Sequence, residues 1–197
     1  MPCLCEKLPV RGMLFYFLMD NNKRLFRLFS WKGATYRICS PAFDLIIKEI
    51  KKQRNLLEAY IRKHPVFQTA LHPIALLPFA PSIAQQMADA ADKTGVGPMA
   101  GVAGAIAHTG VLAARRAGTE EAVVENGGDI FLSSDREIVV GLYSGRGKLM
   151  DALAFFVKPK HMPLAICSSS SRMGHSESFG ACDLATVTAK ELSLIHI

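Results

Sequence analysis

The 197-residue chain predicts an α+β domain with helices packed on a largely antiparallel sheet. Three observations carry that expectation. Apolar residues recur at helical spacing from Phe43 to Ile61. A Gly- and Ala-rich stretch opened by Pro98 extends the helical half. From Glu121 onward the pattern changes to short β segments, and helices followed by a run of strands is the signature of segregated α and β layers. Half the residues are hydrophobic and one fifth are charged, which suits an ordered core, and the length suits one domain.

In chain order, residues 25–38 read as one or two short strands around the turn Trp31-Lys32-Gly33. Ser40-Pro41 then supplies an N-cap followed by proline at the first helical position, and the helix runs to His64-Pro65. Pro73, Pro78 and Pro81 interrupt the chain before a second helix over 82–93, stopped by Thr94-Gly95. The helix after Pro98 closes with Arg115, Arg116 and Gly118, residues that suit a helix C-terminus. Strands are expected at 122–125, 129–132, 137–143, 153–157, 164–167 and 184–189.

The net charge of +6 is concentrated in 23–27, Arg37 and 48–63. Without aromatic interleaving or a known binding motif this reads as a solvated helix face rather than a nucleic-acid site, so no nucleic-acid partner is expected. The same field would draw an anionic nucleotide or a flavin phosphate. Five cysteines without a CxxC pair argue against a disulfide framework and for a reducing, cytoplasmic setting. The apolar run 13–19 is short for a secretory leader, lacks a cleavage site and falls far short of a membrane span. It reads as a strand or as mistranslated leader within 1–20, and no membrane partner is expected. Residues 192–197 read as adapter-derived sequence, so the single domain is expected to span 1–191 and to be incomplete at its C-terminus.

Two segments speak about function. Asn126-Gly127-Gly128-Asp129 follows the apolar Val123-Val124 run, and Ser168 to Ser171 lead into Gly174-His175-Ser176. Two residues without side chains beside a carboxylate let a ligand approach the backbone closely, although Asn-Gly is also a strong signal for a plain hairpin turn. The serine run, after an apolar strand, offers hydroxyls and amides to an anion. Gly97 lies at a helix start whose amides suit a phosphate, and close helix packing through Gly101, Gly104 and Ala107 explains the small residues as well, the two roles being compatible. A Ser-His-Asp set from Ser171, His175 and Asp183 lacks a nucleophile elbow.

Together these blocks resemble the ApbE-like superfamily, FAD-dependent FMN transferases that use magnesium, and more closely an uncharacterised branch of it marked by Glu-Asn-Gly-Gly-Asp and Ser-Ser-x-x-x-Gly-His-Ser-x-Ser-Phe-Gly. The resemblance runs from about Phe43 to Lys190. It implies a layered α+β fold, FAD and Mg2+ as cofactors, and a protein substrate bearing the modified threonine. Asn126, Gly127, Gly128, Asp129, Ser169, Ser170, Ser171 and Gly97 would contact the nucleotide, and His175 would be the catalytic base or a phosphate contact. The chain departs from the transferase pattern in lacking Asp-Pro after His175, while the family's Ala-Asp-x-x-x-Thr metal motif, and with it most metal ligands, is expected just beyond the truncated end. The alternative is a non-catalytic module on the same fold that binds another anionic metabolite.

Overall fold

The computed structural model describes residues 15–17, 24–142, 153–170 and 181–190, and its architecture is α+β. A six-stranded antiparallel sheet has the order β2(Arg27–Trp31)-β3(Ala34–Cys39)-β4(Glu121–Asn126)-β5(Asp129–Ser134)-β8(Leu164–Ser169)-β9(Ala185–Ala189). A second sheet of three strands, β1(Phe15–Phe17)-β6(Ile138–Leu142)-β7(Leu153–Val157), lies beside it. The helices are α1(Phe43–Lys63), the short α2(Val66–Thr69), α3(Ser82–Thr94) and α4(Val102–Arg116). No single helix among the described residues is long and apolar enough to cross a membrane.

Helices cover one face of the large sheet. Ile46 and Ile50 of α1, Ile83 and Met87 of α3, and Ile106 and Val111 of α4 pack with Ile38, Val124, Phe131 and Ala165 of the strands. Each fully buried side chain of this size contributes about 1.5–3 kcal/mol. The opposite face carries Val123, Ile130, Leu132 and Ile166, packed with Ile138, Val140 and Val157 of the second sheet. Cover on both faces buries β4 along its whole length, Glu121, Glu125 and Asn126 included, so these polar side chains need partners inside the protein.

The second sheet was not expected as a separate layer. Its strands are short and β1 is about 120 residues upstream of its partner, with Tyr16 opposite Gly141, so nothing local marks the pairing. Two smaller differences concern termini. The Ser40 hydroxyl accepts a bond from the Ala42 amide at 3.2 Å, so it shapes the turn before α1 while the helix starts at Phe43, beyond Pro41. Strand β8 runs to Ser169, two residues further than expected, because pairing of Ser168 with Thr186 and Ser169 with Ala185 continues the ladder into the serine run.

Candidate functional site

The two motif segments meet at one end of the large sheet. Asn126 and Asp129 face each other across the ladder, and Gly127 and Gly128 form the two-residue loop between them with φ of 61° and 103°. Positive φ at both central positions is what a tight hairpin matched to the strand twist demands. The plain turn is therefore the backbone geometry of Asn-Gly-Gly-Asp. Beside it, Asp129 pairs with Cys167, and the Ser168 amide donates to the Gly128 carbonyl at 3.0 Å. The Ser168 hydroxyl lies 2.7 Å from that of Thr186. Ser170 is buried and Ser169 half-buried at the strand's end. Ser171 and His175, and with them the serine-histidine part of the hydrolase set, lie outside the described residues.

Alternation along the strands sends the motif's polar groups to two different faces. On the helix side, the Asn126 side-chain amide donates to the Ala103 carbonyl at 3.0 Å. The Asp129 carboxyl accepts from the Gly104 backbone amide and from the Cys167 thiol. Helix α4 has no side-chain cap of its own, so a residue from β5 satisfies an amide of its first turn. Burial pushes the Asp129 carboxyl up to about 6, against the opposing pull of those two bonds. Burial likewise drives the Cys167 thiol well above the usual thiol range, and the Asp129 charge adds to it.

On the other face, the buried Glu125 carboxylate sits 3.7 Å from the Arg37 guanidinium. Burial raises its pKa, the Arg37 charge and the Gly128 amide oppose the rise, and the Asp129 charge reinforces it. Glu125 and Asp129 thus influence one another through the sheet but project from opposite faces and do not converge on one ion. Among the described residues no group of three His, Cys, Asp or Glu side chains could hold a metal. The metal ligands expected from the resemblance lie outside the described residues.

Gly97 is closely packed. A Cβ there would stand 1.8 Å from the Ala70 carbonyl oxygen and 3.1 Å from the Leu71 Cα, so the position requires glycine for packing, a role compatible with the phosphate contact expected of it. The helix-start amide at Gly104 is taken by Asp129. Removal of the Asn126 side chain, in Asn126→Ala, should cost about 1 kcal/mol through loss of its bond to the Ala103 carbonyl, which keeps its bond within the helix. Urea denaturation checks this, and an unchanged midpoint would show that the hairpin does not hold α4.

A second polar cluster, invisible in the sequence, lies at the opposite end of the β4–β5 pair. A cleft of about 450 Å³ there is lined by Pro41, Thr119, Glu121, Ser134, Asp135 and Arg136 among others. Glu121 accepts from Arg24 at 3.0 Å and from the Ser134 hydroxyl at 2.6 Å, with Arg136 at 3.5 Å and the Cys39 thiol at 3.9 Å. Burial pushes the Glu121 carboxyl up, but the bonds from Arg24 and Ser134 and the two arginine charges outweigh it and hold it below its ordinary value. Burial and the Glu121 charge raise Cys39 to about 11. Arg24 and Ser134 hold the carboxylate from the buried side and the half-exposed Arg136 from the cleft, so the cluster reads as an ionic clamp at the cleft wall.

A family model described as "AbpE bacteria" matches residues 42–194. Among curated relatives, a "UPF0280 protein" of Methanospirillum hungatei is 46% identical over 142 residues, covering 72% of this chain and 58% of its own length. That of Methanosphaerula palustris is 45% identical over 141 residues, covering 72% and 59%. That of Archaeoglobus fulgidus is 45% identical over 152 residues, covering 77% and 61%. The chain spans about three fifths of the length of these relatives. The matches correct the expected kinship with the FMN-transferase superfamily and its branch, since the matching family and relatives carry other descriptions and none names a flavin or a transfer reaction.

Proposed function

Because the chain belongs to the family described as AbpE bacteria, we propose for it a role that family membership leaves open: a module that binds an anionic small molecule at the hairpin end of the large sheet. The observation that carries this reading is the bond from the Ser168 amide to the Gly128 carbonyl at 3.0 Å. It joins the Gly-Gly turn and the serine run into one rim, with Ser169 and Ser170 at its edge. Asn126 and Asp129 act within it as positioning residues, because their polar groups are already bonded to α4. The overall charge of +6 favours an anion.

Flavin nucleotides are the first ligands to try. Isothermal calorimetry of the chain with FAD and FMN, each with and without magnesium, should give heat that falls about tenfold in affinity for Ser169→Ala if its hydroxyl contributes a charge-assisted bond. Binding that needs no magnesium supports the module. Absence of heat with these and with simpler phosphate-bearing metabolites would sink the reading.

A further inference from the structure

At the C-terminal end of α1 the surface combines exposed apolar side chains with cations. The Leu77 amide donates to the Tyr60 hydroxyl at 3.0 Å, which brings the loop between α2 and α3 against the last turn of the helix. That turn carries Arg62 and Lys63, both exposed. Neither forms an ion pair among the described residues. No Asp or Glu occurs from residue 59 to 88, and Glu58, one turn before Arg62, is paired with Lys32.

Phe79 is the feature that folding does not explain. It is 103% exposed, so it contributes nothing to the core. Its φ is +60°, in a turn where Pro78 precedes it and where glycine or asparagine is the usual occupant. A bulky residue is disfavoured in that conformation. The fold thus presents an aromatic ring on a strained turn, with Leu77 and Val66 also exposed nearby in the chain. Arg62 and Lys63 have an ordinary explanation as complements to the helix dipole; Phe79 has none.

We propose that this corner docks on the surface of an anionic lipid bilayer, with Phe79 inserted among the acyl chains at the headgroup boundary and Arg62 and Lys63 on the headgroup phosphates. The cations call for an anionic partner and disfavour a symmetric contact with a second copy, which would set them against each other. A ring that projects fully is a knob, and a fluid interface accepts a knob without a reciprocal pocket. The contact lies on the surface and needs no spanning helix. It departs from the expectation that the protein has no membrane partner.

Sedimentation with phosphatidylcholine vesicles, with and without about one third phosphatidylglycerol, tests this on the full chain. The protein should pellet with the anionic vesicles and stay in solution with the neutral ones. Phe79→Gly should lose about tenfold in partitioning, as expected on removing an aromatic anchor, while melting at the same temperature or higher because the turn is relieved. The double variant Arg62→Glu, Lys63→Glu should lose at least as much. Equal pelleting of the wild type and Phe79→Gly, or none with anionic vesicles, would overturn the proposal. So would a lipid-independent dimer that Phe79→Gly dissolves, since that would assign the corner to a second copy.

Discussion

Gly97→Ala is expected to destabilise the protein by about 3 kcal/mol or more, a large fraction of the stability of a domain this size. The added methyl would meet the Ala70 carbonyl oxygen at 1.8 Å and the carbonyl carbon at 2.7 Å. Both belong to backbone, so no rotamer change can relieve the overlap. The segment after α2 would have to move away from the turn that opens α4, uncovering Phe67 and the apolar side chains around it. By contrast, Gly110→Ala meets side-chain atoms alone, the Ile46 methyl at 3.1 Å and Ile50 and Val124 at ordinary contact distances of 3.6 and 3.7 Å, and should cost far less. Urea denaturation of the two variants separates these cases. A Gly97→Ala protein within about 0.5 kcal/mol of wild type would mean that the two segments are not packed as described.

Asp129→Asn is expected to raise stability above neutral pH and to flatten its dependence on pH. The folded protein holds the Asp129 proton up to about 6, against an ordinary value of 3.8, so folding takes up a proton between those values. Its contribution to stability is therefore greatest below 3.8, declines as pH rises, and is fully lost above 6. A shift of that size corresponds to on the order of 3 kcal/mol. Glu125, also raised, acts with the same sign, and Glu121, which is lowered, acts with the opposite one. Asparagine keeps an oxygen for the Gly104 amide and carries no charge to desolvate. Thermal melts at pH 5 and 7.5 measure the difference. If the variant were less stable than wild type at pH 7.5, the carboxylate's attraction to the start of α4 would outweigh its burial.

Much of the fold was readable because its signals are local. Phe43, Ile46, Ile50 and Leu57 announce α1 by spacing alone, Gly95 ends α3 where expected, and Asn-Gly marks the hairpin that the ladder confirms. The candidate site was legible as two motifs, and their meeting through Asp129 and Cys167 follows from strand order, which no local pattern encodes. What each side chain does was not legible. Asn126 and Asp129 serve a helix earlier in the chain, and Glu121 bonds to Arg24 from 97 residues away. The apolar pattern that marks the strand stops at Cys167, yet pairing with Thr186 and Ala185 makes Ser168 and Ser169 strand as well.

That α4 is held at its start by a hairpin formed later in the chain also has a consequence for the order of folding. The first turn of α4 lacks a local cap, and its bonds to the hairpin span 23 residues in the case of Asn126 and Ala103. A nascent α4 should therefore fray at that end until β4 and β5 have closed and docked. The Gly104 amide then becomes a reporter of an event elsewhere: in native-state hydrogen exchange it should open together with the amides of the hairpin and apart from the middle of its own helix.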